Sequence, residues 1–140
     1  MAKHVLRAAH VSINSVDLSD HVRSVTISTN RPEVDVTSMG ASFQEFVAGI
    51  PDATITVEFY QDYATGEVWV THDTLYNSDT PFPIVIRPDS GAASATNPSF
   101  EMSALMMGDY SPLAGDVGSA NMTSITYRNA SQTGLQALPS

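Results

Sequence analysis

The stretch 33-EVDVTSMGASFQEFVAGIPDATITVEF-59 decides how this chain is built. Its second half alternates, with Ala53, Ile55, Val57 and Phe59 on one side and Thr54, Thr56 and Glu58 on the other. A period of two is the mark of a half-buried β-strand. The first half reads differently. Val34 and Val36 make a short strand, and Met39-Gly40 signals a turn. An apolar run follows with Phe43, Phe46, Val47 and Ile50, interrupted by Gly49 and closed by Pro51. Two residues are enough to join antiparallel strands. A long, partly apolar inter-strand loop over residues 33–52 therefore calls for another use.

Alternation recurs on both sides of this stretch. His10 to Ile13 alternates and ends at Asn14-Ser15, and Asp17 and Asp20 suit turn capping. Arg23 to Thr29 places Val25 and Ile27 on one face and Ser24, Thr26 and Ser28 on the other. Residues 84–86 are apolar on both faces and read as a covered strand. Ser99 to Met107 and Asn121 to Arg128 complete the set, the last with Ile125 and Tyr127 inward. One helix is expected over about residues 65–77, where Val68, Trp69, His72, Leu75 and Tyr76 recur at three- and four-residue spacing after the potential cap Thr65. The tail from about residue 129 has little pattern and is expected to be extended. About seven strands and one flanking helix predict a mainly β fold, a β-sandwich or barrel, in a single domain over residues 1–140.

Composition narrows the function. The 140 residues include no cysteine, which excludes disulfides and thiol catalysis. No apolar run approaches the ~20 residues of a membrane-spanning helix, and no long apolar segment follows Lys3 and Arg7, so no signal peptide is expected. The net charge is −9, and past Pro32 only Arg87 and Arg128 oppose thirteen carboxylates. Gripping DNA needs clustered cations, so this chain is not expected to hold nucleic acid. Proximity without adhesion is compatible with an acidic surface.

Chemistry-bearing motifs are missing from the local sequence. His4, His10, His21 and His72 form no metal-binding pair at short spacing, and each is expected at the surface or half-buried. No nucleophile elbow and no phosphate loop occurs. No catalytic residue, metal ligand or cofactor is therefore assigned, and the chain is not expected to be an enzyme. One pattern remains. The polar faces of three strands are built from hydroxyls: Ser24, Thr26 and Ser28; Thr54 and Thr56; Ser124 and Thr126. Only Glu58 and Arg128 bring charge to them. Such a face is either an ordinary solvated sheet surface or a smooth one that lines a channel or packs on a neighbour.

The order of these segments carries a resemblance. "INSVDLSDHVRSVTI", "EVDVTSMG", "GIPDATITVEFYQDYATGEV", "IVIRPDSGAASATNPSFEMSALM" and "YSPLAGDVGSANMTSITY", spread over roughly residues 5 to 128, resemble the tail tube (major tail) proteins of long-tailed bacteriophages, particularly those of actinobacterial phages. The resemblance implies a structural virion protein whose copies form hexameric rings. Their inner strands would join into one barrel around a lumen, and the rings would stack into a tube through which DNA passes without specific binding. It implies copies of itself as the main partner, with a tape measure protein and a tail terminator beside them. It implies no membrane, assembly in the host cytoplasm and residence in the virion. The loop carrying Val34, Val36, Met39, Phe43, Phe46, Val47 and Ile50 sits where such proteins reach a neighbouring subunit or ring. Ser24, Thr26, Ser28, Thr54, Thr56, Glu58, Ser124 and Thr126 are the candidate lumen face. A capsid decoration (cement) protein on the head shell is the alternative.

Overall fold

The structure is a computed structural model that describes residues 9–89, 91–94, 97–108, 110–113, 115–132 and 134–138. His4, Lys3 and Arg7 lie outside the described residues. Ten strand segments and one α-helix follow each other: β1 (His10–Ile13), β2 (Val16–Asp17), β3 (Val22–Asn30), β4 (Glu33–Asp35), β5 (Phe46–Ala48), β6 (Asp52–Tyr60), α1 (Val68–Tyr76), β7 (Phe82–Arg87), β8 (Ser99–Met107), β9 (Met122–Asn129) and β10 (Gln136–Leu138). The fold is mainly β, as expected. More strands form than alternation suggested because β2, β4, β5 and β10 have two or three residues each, too few to display a period.

Eight strands make one antiparallel sheet in the order β2-β1-β7-β8-β9-β6-β3, with β10 pairing to β8. The turn between β1 and β2 is Asn14-Ser15, both at positive φ (50° and 68°). That geometry matches the right-handed twist of a two-residue hairpin. The sheet folds over so that its two halves share one core. Val11, Ile13, Ile84 and Ile86 from β1 and β7 join Ile55, Val57, Phe59, Ile125 and Tyr127 from β6 and β9 in a single buried cluster. Val25 and Ile27 of β3, at one end of the strand order, line a cavity with Ile86 and Phe100 of β7 and β8, near its middle. Strand β7 is covered on one face only: Phe82, Ile84 and Ile86 are buried, whereas Pro83 is exposed and Val85 half-buried. This corrects the expectation of a strand covered on both faces.

Helix α1 starts three residues later than expected. Thr65 does not cap it; Glu67 is the N-cap residue and makes no side-chain capping bond. Gly66 sits at φ +80°, a left-handed turn that holds Thr65 outside the helix. Val68, His72 and Leu75 face the core. His72 is completely buried, against the expectation of a surface or half-buried histidine. Its ring packs against Phe59 at 5.1 Å. Its Nδ1–H donates to the Val68 carbonyl at 2.8 Å, and Nε2 accepts from the Tyr127 hydroxyl. Burying a polar ring is tolerable only when both nitrogens are satisfied in this way. Burial pushes the imidazole down to about 4, partly offset by the Val68 carbonyl.

The segment expected as a loop over residues 33–52 is itself a β-hairpin. Among the described residues strands β4 and β5 pair only with each other, with Glu33 opposite Ala48, Val34 opposite Val47 and Asp35 opposite Phe46. Val36 follows β4, and its N–H still donates to the Glu45 carbonyl. The hairpin was hard to foresee because both of its faces carry apolar side chains, which hides the period of two.

Candidate functional site

Two surfaces are built by these elements, and the candidate residues fall on them. The first is the hairpin arm. All seven of its candidate residues, Val34, Val36, Met39, Phe43, Phe46, Val47 and Ile50, are exposed. Met39, Phe43 and Ile50 are almost fully so, at 103%, 88% and 87%. Monomeric proteins rarely show a contiguous apolar surface of this kind unless something covers it.

The arm is nevertheless well shaped. At its base the Gly49 N–H donates to the Pro32 carbonyl at 2.7 Å. A Cβ at Gly49 would meet Pro32 Cγ at 3.1 Å, so only glycine lets the two chains close without a shift. Towards the tip, the Thr37 N–H donates to Asp35 Oδ1 at 2.9 Å and the Glu45 N–H to Thr37 Oγ1 at 2.7 Å. The Thr37 hydroxyl and N–H hold the Asp35 carboxyl below its ordinary value.

The second surface is the hydroxyl face. The register of β3, β6 and β9 aligns its members in rows: Ser24–Glu58–Ser124, Thr26–Thr56–Thr126 and Ser28–Thr54–Arg128. All eight candidate residues therefore lie side by side. The reverse faces of these strands build the core, and that burial fixes the register, because a slip of one residue would turn the hydroxyls inward. A bulge between Val22 and Ser24 leaves Arg23 as the extra residue. Ser24 donates to Glu58 Oε2 at 2.8 Å, and Arg23 Nη1 lies 4.0 Å from the same oxygen. Arg128 is paired with Asp52 at the other end. The middle of the face carries no charge. On the β8 side the rows end at the apolar residues Leu105 and Met107. On the other side they end at β3, which among the described residues pairs only with β6. Its outer edge leaves a nine-residue run of backbone groups with no neighbouring strand among the described residues, and Arg23 is the sole charge along it.

The structure also makes a grouping that sequence reasoning missed. His21 Nε2 lies 2.9 Å from Asp62 Oδ2 and 3.6 Å from Glu67 Oε2. More than forty residues separate His21 from its partners, so no local spacing could reveal them. The cluster ties the start of β3 to the segment before α1. The Ala64 N–H and His21 hold the Asp62 carboxyl below its ordinary value. Asp17 caps its turn as expected: its carboxylate accepts from the Ser19 N–H at 3.0 Å and from the Ser19 hydroxyl, and these bonds lower its pKa.

Comparison with solved structures places the fold. Over 96% of this chain and 98% of the other, it superposes on a chain from the virion of a native gene transfer agent particle, with TM-score 0.74 and 16% identity. A chain from the tail of an empty gene transfer agent particle, solved with C6 symmetry, gives TM-score 0.64 and 20% identity over 83% of this chain and 81% of that one. The Dit hub adsorption protein of phage SPP1 gives TM-score 0.50 and 14% identity, covering 89% of this chain and 50% of its own. No protein-family model and no curated sequence matches the chain.

Proposed function

We propose that this chain is a structural subunit of a phage-type tail tube, which assembles with copies of itself into stacked rings and performs no catalysis. The observation that carries the reading is the edge of β3, uncovered by any strand among the described residues and bordering the hydroxyl face. Bare edges are hazards that proteins normally protect. An edge that continues a smooth, neutral face supports side-by-side joining of subunits into a closed barrel, with that face lining the lumen. The likeness to a chain of a C6-symmetric tail, over 83% of this chain, favours six subunits per ring. A lined channel with hydroxyls and few cations offers DNA no phosphate grip. Within this reading the tape measure protein and the tail terminator are the other partners. The protein is assembled in the host cytoplasm and ends in the virion.

Electron microscopy of the purified protein tests this. Rings or hollow tubes are expected. Particles that assemble only as a coat on head shells would make the chain a capsid decoration protein instead. The lumen assignment has its own test in Glu58→Lys, which reverses one charge per subunit beside Arg23. Tubes should still form, because Glu58 lies outside the core. DNA delivery should fall, by about tenfold or more in infectivity, since a ring of lysines adds phosphate contacts. Unchanged infectivity would place Glu58 away from the channel.

A further inference from the structure

Among the described residues, only His21, Asp62 and Glu67 bring three potential metal ligands together. One ring nitrogen and one oxygen from each carboxylate all lie within 4.8 Å of one another. An imidazole is part of the set, so this is more than a cluster of acids.

The local charge is unbalanced. Two carboxylates face a single imidazole, so even a protonated His21 leaves one negative charge over. Among the described residues no lysine or arginine pairs with Asp62 or Glu67; Arg23, two positions beyond His21, lies against Glu58 instead. The three side chains are half-buried, His21 at 21% and each carboxylate at 35% exposure. Water therefore screens the excess only in part, and an ion still has an open side to enter by.

The separations suit a metal. Bonds of about 2.0–2.2 Å place two ligands roughly 3.0 Å apart at a right angle and roughly 3.6 Å apart at a wider, trigonal one. Nε2 of His21 lies 2.9 Å from Asp62 Oδ2 and 3.6 Å from Glu67 Oε2. The ligands are also supported from behind, as metal-binding carboxylates usually are. The other Asp62 oxygen, Oδ1, accepts from the Ala64 N–H at 2.9 Å. The Asp62 carbonyl accepts from the Trp69 N–H at 2.9 Å, and the Glu67 N–H donates to the Ala64 carbonyl at 3.1 Å. The Glu67 side chain makes no capping bond to α1, which leaves its carboxylate available.

We infer that His21, Asp62 and Glu67 form a binding site for one divalent transition-metal ion, with zinc the best match. Calcium and magnesium favour shells made of oxygen, whereas an imidazole beside carboxylates suits zinc and its first-row neighbours. Three protein ligands leave a fourth position for water. The ion ties the start of β3, the edge strand, to the segment that leads into α1. The inference uses no part of the assembly reading and stands or falls separately from it.

Equilibrium dialysis of the full chain, first stripped with a chelator, against zinc chloride in excess magnesium chloride tests the site. One zinc per chain should be retained, and zinc should raise the melting temperature, because a ligand of the folded state stabilises it. Glu67→Gln keeps the shape of the side chain and removes its charge; His21→Ala removes the nitrogen. Each should weaken zinc binding by more than the ~10-fold expected from loss of a supporting contact, and the zinc-dependent rise in melting temperature should shrink with it. If His21→Ala fails to fold, Glu67→Gln decides alone. Failure to retain zinc, displacement of zinc by magnesium, or equal zinc binding by the wild type and Glu67→Gln would each overturn the site.

Discussion

Phe43→Asp combined with Ile50→Asp is expected to abolish tube formation while the subunit stays folded. Burying an apolar side chain of this size is worth about 1.5–3 kcal/mol. Losing two at one contact therefore removes roughly 3–6 kcal/mol, or about two to four orders of magnitude in the dissociation constant. The subunit itself should lose little, because both side chains are already in water in the isolated chain. Phe46 is a poorer choice. It lies opposite Asp35, and an aspartate there would set two carboxylates across the ladder and weaken the arm directly. The measurement pairs sedimentation velocity with a thermal melt. A melting temperature that collapses together with assembly would mean that these residues belong to the subunit's own core.

Acid should destabilise the subunit well before its carboxylates titrate. The folded state holds His72 neutral down to about 4, whereas the unfolded chain takes up the proton near 6.5. Between those values the unfolded state binds more protons, so stability falls as the pH drops through that window. The loss from this one residue is about 2 kcal/mol between pH 7 and pH 5. The carboxyls that the fold holds low, Asp17, Asp35 and Asp62, lose their contribution only below that range. The control replaces both polar partners, His72→Leu with Tyr127→Phe, because removing one alone strands the other. Denaturant titrations of an arm-disabled, non-assembling subunit should show the acid loss with His72 present and a flatter profile in the double variant. Parallel profiles would remove His72 as the cause.

Much of this architecture can be read from residue order, and the failures have physical reasons. The long strands β3, β6 and β9 are legible because one face of each is buried and the other is not. The hydroxyl rows follow from the same alternation once the strands are paired, although pairing itself is a long-range fact. The arm looked like a loop because solvent, or a partner, contacts both of its faces; nothing in Val34 to Ile50 separates an inside from an outside. His72 looked peripheral because a histidine at helical spacing gives no sign of its burial, and Tyr127, the group that satisfies it, is 55 positions away.

The closure of the arm's base, where Gly49 meets Pro32 and Thr37 bridges Asp35 and Glu45, bears on speed as well as strength. A limb that is floppy in the free subunit would have to lose its chain freedom at every joining event, and each event would be slower and weaker for it. Here that ordering is completed when the subunit folds. Productive encounters are then limited by diffusion and orientation rather than by rearrangement. The same stiffness makes the free subunit a ready-made sticky end. Its lifetime as a monomer depends on concentration and on mutual repulsion between chains of net charge −9, so raising the ionic strength should shorten the lag before growth begins.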